Sequence, residues 1–86
     1  MEPRLEIVYG SDALRGGVYL ELGRVDGLRR HALLEVFRSD RDGSLTFYAD
    51  ARCALPFVRV EEFMKRAQAE LATRPSSPSG AHVGTA

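Results

Sequence analysis

Four short segments of the chain alternate between apolar and polar side chains with the period of two that is typical of β-strands. They lie at residues 5–9, 18–22, 32–37 and 44–49. Turn-forming sequences separate them: GSDALRGG precedes the second segment, VDG the third and SDRDG the fourth. Because the connections between consecutive segments are short, the pattern predicts an antiparallel meander.

The period changes after Pro56 to that of a helix. Apolar side chains then recur at Val60, Phe63, Met64, Ala67 and Leu71. This spacing predicts one amphipathic helix over about residues 57–73, and its first turn can accommodate Pro56. Residues 74–86 are rich in Pro, Ser and Gly, so we expect a flexible tail there. The predicted fold is α+β: a four-stranded antiparallel β-meander, then one C-terminal amphipathic helix packed on one sheet face, forming a single ββββα domain over residues 1–73.

The lengths of the hairpin loops decide which side chains share a face of the sheet. If residues 40–43 form a four-residue loop, Phe47 lies opposite Val36. If residues 25–27 form a three-residue loop, Leu20 lies opposite Ala32. Both choices give one apolar inner face on which the helix would pack: Val18, Leu20, Leu22, Leu34, Val36, Leu45 and Phe47, joined by Leu5, Ile7 and Tyr9.

The opposite parity would bury Glu35 between Leu33 and Phe37, and we reject it because an unpaired buried carboxylate costs several kcal/mol. The accepted parity leaves aromatic and acidic side chains together on the outer face, the face that the helix does not cover. Tyr and Phe among carboxylates, without Lys, are typical of a protein interface. A tail or loop folded over this face is the alternative. The predicted partner-binding surface consists of Val8, Tyr19, Glu21, Leu33, Glu35, Phe37 and Tyr48.

Composition and charge argue against several classes of protein. Twelve Lys and Arg balance twelve Asp and Glu, so no net field attracts the chain to nucleic acid or to an anionic membrane. No apolar run approaches the roughly 20 residues that cross a bilayer, and MEPRLEIVYG lacks the features of a secretory signal. A single cysteine, Cys53, argues against a disulfide framework or a cysteine-cluster zinc site. We expect a cytoplasmic protein without nucleic-acid or membrane partners.

The segment RSDRDGSLTFYA, residues 38–49, contains half of the pattern of a calcium-binding EF-hand loop. With Gly43 at the invariant glycine of that loop, Asp40 and Asp42 fall at positions that supply oxygen ligands. The first position is then an arginine and the last an alanine, where the pattern requires carboxylates, and no helix enters the loop. We therefore interpret the segment as a hairpin turn, with Asp accepting backbone hydrogen bonds and Gly supplying the left-handed conformation. We expect no calcium, no other metal and no cofactor.

Other candidate chemistry is weaker. Arg29, Arg30 and His31, in GLRRH, form a candidate anion contact at a hairpin end. Glu21 and Glu35 are candidates for a general acid and base, but a flat sheet face lacks the concavity that a substrate needs. The aromatic side chains of the same face could stack RNA bases, although the carboxylates around them would repel the RNA backbone. We therefore predict no enzymatic activity.

The sequence favours a small non-enzymatic protein-binding domain, either an adaptor or an immunity-type protein that neutralises a toxin, acting through the outer face. Small acidic-faced bacterial proteins of that type have a similar architecture, an analogy of fold alone. The alternative is a structural or accessory protein that self-assembles into a homo-oligomer, such as a homodimer, through the same face. The predicted partner is thus another protein or a second copy of the chain.

Overall fold

The computed structural model describes residues 4–73, and the structural statements below refer to this part of the chain. Its strands form one antiparallel sheet in the order β1-β2-β3-β4, and one helix follows. The predicted α+β meander with a C-terminal helix is therefore confirmed. The predicted flexible tail, residues 74–86, lies outside the described residues. The elements are β1 (Arg4–Asp12), β2 (Gly17–Asp26), β3 (Arg29–Ser39), β4 (Leu45–Ala49) and α1 (Phe57–Thr73).

Helix α1 packs its apolar stripe on the inner face of the sheet, over the two central strands β2 and β3. Arg38 Nη1 donates a hydrogen bond to the carbonyl oxygen of Leu71 and ties the last turn of the helix to β3. No helix in residues 4–73 is long and apolar enough to span a membrane. The buried core consists of Val18, Leu20, Leu22, Leu34, Val36, Phe63, Ala67 and Leu71.

The inner face of β4 extends beyond the helix. The sequence placed Leu45 and Phe47 in the core, whereas 46% and 47% of their surfaces are exposed. The reason is one of width, because a helix about 10 Å across covers roughly two strands spaced about 4.8 Å apart. Since α1 lies over β2 and β3, the side chains of the edge strand β4 are left at the border of the core.

The β2–β3 hairpin is tighter than the sequence predicted. Its loop has two residues, Gly27 and the leucine after it, where three were expected. Gly27 has a φ of 64°, the left-handed conformation that such a short hairpin loop requires. The pairing is displaced accordingly, so that Leu20 lies opposite Val36 and not opposite Ala32. If β2 and β3 paired without interruption from this two-residue loop, the side chain of Glu35 would lie in the core.

A β-bulge in β3 restores the predicted division into two faces. Ala32 pairs with Gly23 and Leu34 pairs with Leu22, so Leu33 is an extra residue between the two pairs. Beyond the bulge, inward and outward positions alternate as the sequence predicted. The loop was therefore predicted with the wrong length, and the bulge compensates for the difference.

The segment between β4 and α1 passes under the end of the sheet. Cys53 and Leu55 are half-buried there and pack against the core, together with Leu33. Cys53 is a free thiol that behaves as a small apolar side chain in this position.

Candidate functional site: the outer face of the sheet

The strand register gathers most of the predicted binding residues into two adjacent rows across the outer face. Six of the seven residues lie in these rows, and Leu33, in the bulge, is the exception. The first row consists of Val8, Glu21, Glu35 and Tyr48. The second row consists of Gly10, Tyr19, Phe37 and Thr46.

Arg15, in the turn between β1 and β2, forms the first ion-pair cluster of this face. Its Nη1 and Nη2 donate to the two carboxylate oxygens of Glu35, each at 3.0 Å, and its Nε donates to Asp12 Oδ2 at 2.7 Å. A guanidinium that binds a carboxylate through two parallel hydrogen bonds is held in both position and orientation. The hydrogen bond from Arg15 lowers the pKa of Asp12, and the hydrogen bonds to Glu35 are the main cause of a raised pKa at Arg15.

The guanidinium of Arg15 also covers the aromatic side chains of the outer face. Its central carbon lies 4.4 Å from the ring centroid of Phe37, 5.9 Å from that of Tyr19 and 5.8 Å from that of Tyr48. These distances are typical of cation–π contacts. The sequence placed Phe37 on the outer face correctly but expected it to be exposed. That expectation was wrong, because with Arg15 over the ring only 7% of Phe37 is exposed.

Three glycines of the outer face make room for larger side chains that lie across the sheet. A Cβ atom at any of them would overlap the group above it, so the close approach depends on glycine. The face therefore covers part of its own surface, which the sequence analysis missed. The available signal was a glycine opposite or diagonal to an aromatic or arginine residue of the next strand. Gly10 lies under Tyr19, Gly17 under Phe37 and Gly23 under Arg30.

Arg30 forms the second ion-pair cluster. Its Nε donates to Glu6 Oε1 at 2.9 Å, and its Nη1 donates to Glu21 Oε1. The hydrogen bond to Glu6 is the main cause of a raised pKa at Arg30. The sequence grouped Arg30 with Arg29 and His31 as an anion contact, but the structure separates them. Arg30 is engaged on the outer face, whereas the alternation of the strand puts Arg29 and His31 on the opposite side, where both are exposed.

The two clusters give the outer face an acidic balance within a chain of zero formal net charge. Each guanidinium is shared by two carboxylates, so four negative groups face two positive ones within the clusters. Arg4 lies on the same face of β1 as Glu6, so the outer face as a whole carries an excess of one negative charge. Glu21 and Glu35 were predicted on this face from the sequence, but Asp12 and the arginines that bind these carboxylates were not. The ion-paired groups are Arg15 with Asp12 and Glu35, and Arg30 with Glu6 and Glu21.

A shallow depression of about 360 Å³ lies beside these clusters, on the β3–β4 side of the outer face. Glu21, Leu33, Glu35 and Tyr48 line it, so four of the predicted binding residues border one feature. Leu33 also packs against the core from its place in the bulge. Tyr48 is 47% exposed and is the most exposed aromatic side chain of the outer face.

The loop that resembles half of an EF-hand is a hairpin turn. Asp42 Oδ1 accepts a hydrogen bond from the backbone N–H of Ser44 at 2.9 Å, and this bond lowers the pKa of Asp42. Gly43 has a φ of 75° and donates its N–H to the carbonyl oxygen of Ser39 at 2.9 Å. Ser39 N–H donates to Ser44 O at 2.9 Å and closes the hairpin, so the predicted loop of residues 40–43 and its left-handed glycine are confirmed. Across residues 4–73, no three His, Cys, Asp or Glu side chains are close enough together to hold a metal ion.

Comparison with protein-family models, with curated proteins and with solved structures found no match to this chain. The fold and the site together define a small α+β domain whose outer sheet face is acidic, partly covered by its own side chains, and open at Tyr48.

Proposed function

We propose that this chain is a small non-enzymatic protein-binding domain, of the adaptor or toxin-neutralising type, whose partner docks on the outer face at the depression beside Tyr48. The observation that supports this most directly is the exposure of 47% of Tyr48 next to a cluster of fixed polar groups. A tyrosine buries a large area on binding and loses little conformational entropy, because its side chain has few rotatable bonds.

The ion pairs around Tyr48 favour binding because they are already formed in the free chain. Arg15 and Glu35 hold each other through two hydrogen bonds of 3.0 Å, so a partner would not have to order them. Rigid contact groups lower the entropic cost of association. The excess of one negative charge on the face favours a partner surface with Lys or Arg around an apolar centre.

The state of the carboxylates favours binding over acid–base catalysis. Glu35 accepts two hydrogen bonds from Arg15, and Glu21 accepts one from Arg30. A carboxylate that already accepts hydrogen bonds from a guanidinium has fewer lone pairs free to contact a substrate. The depression they border is also shallow, which suits a protein surface better than a small substrate.

Face-to-face self-association, the alternative from the sequence, is less favourable than binding of a different protein. A twofold contact between two outer faces would oppose two surfaces that each carry an excess of one negative charge. We further propose that the domain works in the cytoplasm, where the free thiol of Cys53 would remain reduced.

The test is affinity capture with the tagged full-length chain and its Tyr48→Arg variant. The substitution replaces an aromatic anchor with a positive charge facing a basic partner. We expect a partner protein that the wild type retains and the variant loses. With the purified partner, Kd should rise about 30-fold, which corresponds to a contact of about 2 kcal/mol. Phe37→Glu is unsuitable as a probe, because Phe37 is buried and its replacement would destabilise the fold.

Phe57→Arg provides the matched control for this experiment. Phe57 is 73% exposed at the start of α1, on the opposite side of the sheet from Tyr48, and undergoes a similar change from aromatic to charged. The control should capture the same partner as the wild type. Binding that is equally strong in all three proteins would contradict the proposed site.

A further inference from the structure

Strand β4 has one side of its backbone open within the described residues. It lies at the edge of the sheet, and at its two ends Ser44 O and Asp50 N–H are hydrogen-bonded to β3 at 2.9 Å. Along an antiparallel strand, residues whose backbone N–H and C=O groups point to one neighbouring strand alternate with residues whose backbone groups point the other way. The N–H and C=O groups of Leu45, Phe47 and Ala49 therefore point to the open edge of the sheet.

The segment that carries this edge has none of the features that prevent strands from pairing between molecules. Residues 44–49 read SLTFYA and contain no charged residue and no proline. Edge strands are commonly protected by charges, prolines or bulges, and short uncharged segments rich in β-forming residues pair readily. The opposite edge strand, β1, carries Arg4, Glu6 and Asp12 and is protected in this way.

Exposed apolar side chains lie beside the open edge of β4. Leu45 and Phe47 lie on the inner face beside the edge and are 46% and 47% exposed, because α1 covers β2 and β3. The chain that leaves β4 does not return along this edge, since Cys53 and Leu55 pack against the core at the end of the sheet. Among the described residues, nothing covers the edge or these two side chains.

We infer that β4 pairs with the β4 of a second copy of this chain, antiparallel about a twofold axis at Phe47, which joins the two sheets into one of eight strands. In this register Phe47 lies opposite the partner subunit's Phe47, and Leu45 lies opposite the partner's Ala49. The outward backbone groups then meet in about six hydrogen bonds. Apolar residues face apolar residues and no charged pair is brought together, which is why a second copy fits this edge.

The contact is small, because it consists of one short strand and the side chains beside it. Interfaces below the usual size of stable complexes form and dissociate with concentration. The dimer should therefore form as the protein is concentrated and dissociate on dilution. This surface differs from the depression on the outer face, and the two are tested by different measurements.

The experiment is a measurement of molar mass against concentration by light scattering or sedimentation on the full-length chain. The wild type should rise from 9.5 kDa toward twice that value. Phe47→Lys and Phe47→Glu should each remain monomeric, because like charges would meet at the twofold axis. An equimolar mixture of the two variants should dimerise again, because opposite charges then face each other. This rescue is specific to the register, since only a twofold axis at Phe47 places the two substitutions together.

Phe57→Lys is the matched control and should dimerise like the wild type, since Phe57 lies at the start of α1. Each Phe47 variant is first checked for cooperative unfolding, and if either fails to fold, the exchange measurement on the wild type decides the question. A wild type that stays monomeric at every concentration overturns the inference. So does a dimer that persists unchanged in the folded Phe47→Lys or Phe47→Glu variant.

Amide hydrogen exchange on the wild type gives a test that needs no substitution. As the concentration rises, the amides of Leu45 and Phe47 should exchange more slowly, while those of Thr46 and Tyr48, which face β3, should change little. Two results would overturn the proposed dimer. If the Leu45 and Phe47 amides are already protected in a dilute monomer, another part of the same chain occupies the edge. If they stay unprotected in a concentrated solution, the edge is free for a different protein.

Discussion

At the scale of single residues, Arg15 organises the outer face more than any side chain singled out from the sequence. It binds Glu35, which is 20 positions away in the chain, and its guanidinium lies over the ring of Phe37. No local pattern reveals such a contact, because it depends on how a turn folds back over the sheet. The sequence correctly placed Glu21 and Glu35 on the outer face. It missed that an arginine from a loop would bury the aromatic residue at the centre.

We expect Arg15→Ala to lower the free energy of unfolding by about 1 to 2 kcal/mol. The estimate combines cation–π contacts of about 0.5 to 1 kcal/mol with partly exposed ion pairs of similar size. Arg15→Lys should recover little of the loss, since an ammonium group cannot bind Glu35 through two parallel hydrogen bonds. Urea unfolding measures both variants. Arg41→Ala, at an exposed position of the β3–β4 loop, serves as the control, and an equal effect there would contradict this role of Arg15.

The lowered pKa of Asp12 makes its contribution to stability dependent on pH. The folded pKa lies below the ordinary value of 3.8 because Arg15 donates to the ionised carboxylate. Ionised Asp12 therefore stabilises the folded state at pH values above 3.8, and this stabilisation is lost as the pH falls through the folded pKa. Asp12→Asn should be less stable than the wild type at neutral pH, and the difference should close below about pH 3.8. Urea unfolding across a pH series measures it, and a difference that stays constant with pH would count against this role of the ion pair.

At the scale of elements, the helix was the most predictable part of the fold and the β2–β3 hairpin the least. The helix runs over Phe57–Thr73, as its apolar spacing predicted. The hairpin was misjudged because valine, aspartate and glycine were all counted as loop, while a glycine followed by any residue suffices for a two-residue turn. The division of side chains between the inner and outer faces was still predicted correctly. Burying Glu35 is costly, and the bulge at Leu33 keeps it on the outer face.

Deletion of single residues in β3 provides a test of the bulge. Removing Leu33 would join the Ala32 and Leu34 pairs into a regular ladder, so both faces would be kept. We expect that variant to fold cooperatively, with a loss of about 1 to 2 kcal/mol from the missing apolar contact. Removing Glu35 instead would turn Val36 away from the core and should abolish folding. Circular dichroism and urea unfolding distinguish the two, and an unfolded Leu33 deletion would contradict this account of the bulge.

At the scale of the whole molecule, composition predicted less than topology did. A formal net charge of zero gave no indication of an outer face with four carboxylates and three guanidiniums. Similarly, the hydrophobic pattern grouped Leu45 and Phe47 with the core, although one helix cannot cover all four strands. The hydrophobic pattern of a strand indicates which side chains share a face of the sheet. How far a face is covered depends on the width and placement of the layer above it, which the pattern does not contain.

The order of the strands also bears on how the chain reaches this structure. Within residues 4–73, every strand pairs with its neighbour in sequence, so each hairpin closes across a short loop and none of these strands pairs with a distant segment. Contacts that are close in sequence favour rapid folding, because little chain entropy is lost before they form. During synthesis, β1, β2 and β3 can pair before the helix has been made. The edge of β4 forms last among the strands, which shortens the time for which it is exposed in a partly folded chain.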